Sequence, residues 1–134
     1  MKAFARVVGY ALVGTLALAC DAATAGWLQI GQTAIYEAYA DPTTIRRVGS
    51  IVKIWTSLEF RVQQQLDGRR YYSIRSLSEF DCKEETVRLL SSSFYATRMG
   101  GGEIVSSFHG VRDWRPVLPE SIDLELWKFV CARK

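Results

Sequence analysis

His109 is the only histidine in the chain, and it stands before Gly110 with Ser106, Ser107 and Asp113 close by in sequence. Serine, histidine and aspartate could form a hydrolytic centre, because a histidine base held by a carboxylate activates a hydroxyl. Such a centre needs the serine framed so that it projects, and no Gly-x-Ser-x-Gly elbow surrounds Ser106 or Ser107. The expected reading is a surface histidine at a strand end, with Ser107 and His109 the only conceivable nucleus of a hydrolase. A second group, Glu79, Asp81, Glu84 and Glu85, surrounds Cys82. Paired carboxylates can share acid–base work or hold Ca2+ through several oxygens, but no EF-hand spacing follows them. They read as a solvated strand face and a turn. Gly100-Gly101-Gly102 could cradle a phosphate only with a Lys-Ser/Thr pair and a helix behind it, and neither follows. A flexible hairpin loop is expected there.

The remaining chemistry belongs to cysteine and to aromatic residues. Cys82 and Cys131 have no CxxC companion, and His109 is distant from both in sequence, so a tetrahedral metal site lacks ligands. If the chain is exported, an oxidising compartment favours joining the two. Trp55, Tyr71 and Arg75 are the candidate interaction residues, since exposed aromatics beside arginine supply rigid contact area at interfaces. The competing expectation for Trp55 is that it packs under a loop or helix, as lone exposed apolar residues need no special role. Metal ions and cofactors are not expected.

The N-terminus speaks to compartment. Met1 to Arg6 carries two cations and no acid, and Val7 to Ala19 carries no charge. A basic start, an apolar run and small residues at Ala23-Thr24-Ala25 make a secretory signal peptide over residues 1–25. The run is shorter than the roughly 20 residues of a spanning helix. Ala17-Leu18-Ala19-Cys20 offers an alternative: a lipobox, with cleavage before Cys20 and lipid attached to it. Soluble export after Ala25 is favoured, because a first strand at Trp27 leaves little tether for a lipid on Cys20. Membrane contact is expected only if Cys20 is lipidated.

Residues 26–134 then form one domain. The 134-residue chain is 49% hydrophobic and 23% charged, which is globular rather than disordered. Its net charge of +3 becomes +2 once Lys2, Arg6 and Asp21 are removed, and no basic run exceeds two residues. That excludes a nucleic-acid footprint or polybasic membrane patch as an expectation.

The elements that must position these residues are mostly strands. Short β-type runs over residues 26–31 and 33–39 precede turn chemistry at Asp41-Pro42-Thr43-Thr44. From Ile51, apolar residues Val52, Ile54, Leu58, Phe60 and Val62 recur at period two with Thr56. Lys53, Ser57, Glu59 and Arg61 take the other face with Trp55, so one long half-buried strand is predicted. Asp67-Gly68 predicts a hairpin. Tyr72, Ile74, Phe80 and Cys82 share a face of the next strand, Tyr71 the opposite one, and residues 86–97 and 103–109 continue the meander. Ile122, Leu126, Phe129 and Val130 then form a helical stripe, with Pro119 and Glu120 suiting a first turn and Ser121 a cap. The predicted fold is α+β, mainly β: one antiparallel sheet of about six strands, with a C-terminal helix on one face, pinned by Cys82–Cys131.

An ordered series of motifs points to a family. Trp27 is followed by Tyr39-x-Asp41-Pro42-x-Thr44-Ile45-Arg46-Arg47, Val52-Lys53-Ile54-Trp55 and Ser76-x-x-Glu79-x-Asp81-Cys82. Phe94-Tyr95, Gly100 to Glu103, Trp114-x-Pro116-x-x-Pro119 and a helix ending in Cys131 complete it. With these, the chain resembles the surface-adhesin protein E domain of exported proteins from Gram-negative bacteria. The resemblance implies the same disulfide-held sheet and helix, and a location in the periplasm or at the cell surface. Its founding member is a dimeric surface adhesin that contacts host extracellular-matrix proteins, which implies a possible homodimer. No binding residue carries over. The expected function is therefore an exported, non-enzymatic, adhesin-like module that binds an unknown protein or envelope component through a sheet face or edge. The alternative is a periplasmic carrier of haem or a lipid-like ligand, with its pocket between sheet and helix.

Overall fold

The computed structural model describes residues 26–133; the expected signal peptide, Cys20 and both expected cleavage positions lie outside them. Eight strands and one helix follow in chain order: β1 (Leu28–Gln32), β2 (Tyr36–Ala40), β3 (Arg46–Val48), β4 (Ile51–Leu66), β5 (Arg69–Asp81), β6 (Thr86–Tyr95), β7 (Ile104–His109), β8 (Arg115–Pro116) and α1 (Ile122–Cys131). They make a single antiparallel sheet with the main order β1-β2-β4-β5-β6-β7. Short β3 shares the outer edge of β4 with β2, and β8 shares that of β6 with β7. The sequence indicates the six main strands, while β3 and β8 are too short for period-two alternation to reveal.

Local chemistry explains the corners. Asp67 and Gly68 both have positive φ, 50° and 76°, which is the conformation a two-residue hairpin between twisted strands requires. Asp41 caps a 3-10 turn at Pro42–Thr44 by accepting from the Thr43 backbone N–H. Ser121 caps α1 by accepting from the Leu124 N–H, so the helix begins at Ile122 and Pro119 and Glu120 lie before its first turn.

The core lies between α1 and one sheet face. Ala40, Val52, Ile54, Phe80, Val87, Leu126 and Val130 form a contiguous buried cluster, flanked by Ile122, Phe129 and both disulfide cysteines. Each fully buried Val, Leu, Ile or Phe side chain contributes about 1.5–3 kcal/mol, so this cluster supplies most of what holds the helix down. The Cys82–Cys131 disulfide joins the end of β5 to the last turn of α1. Polar contacts gather around it. The Trp127 indole N–H donates to the Asp81 carbonyl at 3.0 Å. Arg47 Nη2 donates to the carbonyl of Val130, which the helix end leaves without a backbone partner, and to that of Arg133 beyond the helix. Arg47→Ala is therefore expected to cost about 1 kcal/mol in urea unfolding, chiefly through the part-buried Val130 carbonyl, since the contact to Arg133 is exposed.

Two expectations for β4 and β5 need correction. Val62 is 70% exposed rather than part of the apolar face. Tyr71 does not lie on the Trp55 face. The register slips between Glu59↔Ser73 and Gln64↔Tyr71, so several residues of β4 bulge opposite Tyr72. A bulge breaks strict alternation. It frees Val62 and turns the Tyr71 ring into an edge-to-face row, 5.6 Å from Phe60 and 4.9 Å from Phe94. Tyr36 continues that row beyond Phe60 and reaches the side on which Leu126 packs.

Candidate functional site

The helix leaves the other sheet face free, and the odd-numbered residues of β4 as far as Glu59, and of β5 from Ser73 onward, point there. Ser57 pairs with Arg75 and Glu59 with Ser73 across the two strands, while Arg75 pairs with Ser93 of β6. Part of this face is not solvated. Ser57, Glu59 and Ser73 are buried, Glu59 to 2% exposure, although the alternation gives them to the polar side. The cover is the loop after β6, residues 97–102. Met99 adopts φ 54°, strained for a side chain with a Cβ, and its N–H donates to Glu59 Oε2 at 2.7 Å. Glu59 Oε1 accepts from Ser57 Oγ at 2.7 Å. Ser73 Oγ donates to the Thr97 carbonyl at 2.7 Å and accepts from the Gly100 N–H at 3.0 Å. These polar groups satisfy one another, so the loop closes over the face without an apolar second layer.

Beside that lid lies a cleft of about 250 Å3, lined by Trp27, Asp41, Thr44, Trp55, Arg75, Ser93 and Tyr95. Trp55 is 36% exposed here, neither under the helix nor sealed by a loop. The Arg75 guanidinium lies 5.0 Å from the centre of the Trp27 ring and 5.9 Å from that of Tyr95. Its Nη2 donates to the Met99 carbonyl at 2.7 Å, which ties the cleft to the lid. Gly100 is required at this junction: a Cβ there would lie 2.5 Å from Arg75 Nε and Cζ, and its φ is +66°. The structure thus unites Trp55 and Arg75 and leaves Tyr71 elsewhere. Trp27, Tyr95 and the lid complete the site. Their only sequence signals were aromatic type and a glycine triplet, neither of which specifies a neighbour in space.

The other candidate centres resolve into structural roles. His109 is exposed, and Ser107 Oγ sits 3.2 Å from Ser93 Oγ instead of against the imidazole. Glu79 pairs with Arg88, whose guanidinium also lies over Trp114. Asp81 Oδ1 accepts from the Lys83 and Glu84 N–H groups and shapes the β5–β6 turn. Partial desolvation pushes the Asp81 pKa up, but the donated backbone N–H groups of Glu84 and Lys83 outweigh it and hold the carboxyl below its usual range. A depressed folded pKa adds stability above the unfolded value of about 3.9, and that contribution is lost as pH falls through the folded value. The melting-temperature gap between wild type and Asp81→Asn should therefore close below pH ~4. Among the described residues, no group of three or more His, Cys, Asp or Glu side chains is placed to hold a metal ion. Tyr39, on the free face, is pushed above the ordinary phenol value by burial and by its hydrogen bond to Glu37, and so remains a neutral donor.

Between sheet and helix lie a space of about 260 Å3, lined by Thr56, Ser76, Ser78, Ser121 and Asp123 as well as Leu58, Phe80 and Leu126, and an open groove of about 500 Å3 between β1 and α1, lined by Leu28, Gln29, Ile30, Glu125, Lys128 and Phe129. The first is lined by hydroxyls and the Asp123 carboxylate and the second carries Glu125 and Lys128, so neither is the apolar enclosure that a haem or lipid carrier requires. Among the described residues, no helix is long and apolar enough to cross a membrane.

A single antiparallel sheet with a disulfide-pinned C-terminal helix, and a free face carrying an aromatic–arginine cleft, defines a small, mainly β module. The chain belongs to the surface-adhesin protein E family, whose model matches residues 27–132. Membership implies an exported or surface protein. The fold is that of protein E from Haemophilus influenzae: one structure of it aligns with TM-score 0.62 and 16% identity over 80% of this chain and 84% of that one. The selenomethionine form gives 0.63 and 16% over 81% and 87%. Protein E from a non-typeable strain gives 0.61 and 15% over 80% and 76%. No curated protein sequence matches the chain.

Proposed function

We propose that this protein is a non-enzymatic binding module, exported to the periplasm or cell surface, that engages an envelope or extracellular component through its helix-free sheet face at Trp55 and Arg75. The observation that carries this reading is the cleft itself. A half-exposed tryptophan and an arginine with idle donors stand side by side on rigid strands, where binding costs little ordering. Family membership supports an adhesin-like role.

Aromatic and arginine side chains dominate binding energy at interfaces, so truncating one at the centre of a contact removes a large share. Binding isotherms of the mature protein on native envelope fractions and on immobilised extracellular-matrix proteins test the proposal. Trp55→Ala should weaken binding at least about tenfold, which corresponds to ~1.4 kcal/mol. Val62→Ala, at a more exposed position away from the cleft, should leave it unchanged. Equal isotherms for wild type and Trp55→Ala would reject the face.

A further inference from the structure

We propose that the Trp27–Trp55–Tyr95–Arg75 cleft binds an acidic sugar: one pyranose ring bearing a carboxylate. This rests on the helix-free face being the binding face, and it adds the chemical class of the ligand.

Arg75 supplies the first argument. A guanidinium has five N–H donors in a planar fork. Here Nη2 reaches the Met99 carbonyl, while Nη1 donates to no protein atom among the described residues. Nε also lacks a partner but is sealed beneath Gly100, so the donors open to a ligand are those of the terminal nitrogens. None of the four salt bridges among the described residues involves Arg75. A cation drawn partly out of water normally acquires a counter-charge, and a carboxylate is the one that fits a fork of N–H donors. The guanidinium is already fixed by Trp27, Tyr95 and the Gly100 backbone, so an anion arriving there meets a donor that need not be ordered first.

The walls supply the second. Trp27, Trp55 and Tyr95 present aromatic surface, whose electron-rich faces attract the C–H edges of a saturated ring. At about 250 Å3 the cleft suits a single ring and its substituents, not an extended chain.

Asp41 separates a sugar acid from a plain acid. Its Oδ1 accepts from the Thr43 backbone N–H and hydroxyl, at 3.0 and 2.6 Å, while Oδ2 accepts from no group among the described residues. A carboxylate oxygen on the lining of an anion-accepting cleft repels a simple acid, but it accepts readily from ligand hydroxyls. A neutral sugar leaves Arg75 idle, and an aromatic acid leaves Asp41 idle. A hydroxylated ring acid engages both.

Titration of the mature, disulfide-bonded protein with glucuronate, glucose and benzoate, followed through indole fluorescence and indole N–H shifts, tests the assignment. Glucuronate should saturate, and bind at least tenfold more tightly than either glucose or benzoate. Trp55→Ala should weaken glucuronate at least tenfold with an unchanged thermal unfolding profile. Absence of saturation with glucuronate overturns the proposal, as does benzoate binding equally well, which would mark a pocket for aromatic acids. Oligosaccharides from a host uronic-acid polymer and from the cell's own acidic envelope polysaccharide form a second arm. The one that binds more tightly than free glucuronate names the source, and failure of both overturns the sugar assignment. Should Trp55→Ala abolish envelope binding while no sugar saturates the cleft, the face stands and the ligand class falls.

Discussion

Replacing Cys82 and Cys131 together by serine is expected to lower stability by about 4 kcal/mol, which is a large part of the ~5–15 kcal/mol available to a domain of this kind. The two cysteines are 49 residues apart, so their bond removes substantial loop-closure entropy from the unfolded chain. Position sharpens the consequence. The bond ties the last turn of α1 to the end of β5, and α1 otherwise stays down through Leu126, Val130 and their neighbours in one compact cluster. A ten-residue helix is too short to persist in water on its own. Once untied, it should fray first. Hydrogen exchange should therefore accelerate through Ile122–Cys131 before it does in β4 or β5. Equal protection of the helix with and without the disulfide would contradict the pinned-helix account.

Glu59→Ala should be the second large perturbation, costing about 2–4 kcal/mol through loss of a buried acceptor and the space it fills. The side chain is buried at the centre of the helix-free face and accepts from Ser57 and from the Met99 N–H. Its loss leaves that N–H without a partner and releases a backbone held at positive φ. The lid also holds Arg75 through the Met99 carbonyl, so disturbance should reach the cleft. Loss of exchange protection at Met99 and Gly100, with a shifted Trp55 indole signal, is the expected result. Glu59→Gln keeps the volume and one acceptor and should be several-fold milder. If Glu59→Ala leaves residues 97–102 as protected as in wild type, the lid is held by something else.

These two variants mark where the sequence was readable and where it was not. The helix face of β4 could be read from Val52, Ile54, Leu58 and Phe60, because burial against one layer imposes period two. The β4–β5 turn followed from Asp67-Gly68, and α1 from its stripe and the Ser121 cap, since local backbone chemistry decides both. Glu59 was illegible for the opposite reason. Its burial depends on a loop 40 residues away, and nothing in Ser57-Leu58-Glu59 announces that Met99 will land on it. Tyr71 and Val62 were misplaced because alternation cannot foresee a bulge, which arises from the pairing of two strands and not from either one. Trp55 and Arg75 were each recognisable by type. Their meeting with Trp27 and Tyr95 required the register of four strands and a loop.

The central claim is that partners meet the Trp55–Arg75 cleft. Its most direct test places a photo-crosslinking amino acid at position 55 and, separately, at exposed position 62, in the whole 134-residue chain expressed in its native host. Irradiation of intact cells should give discrete adducts from position 55 that an excess of the unlabelled mature protein suppresses, and none from position 62. Adducts from position 62 alone, or from both positions without competition, would contradict a binding face on this side of the sheet.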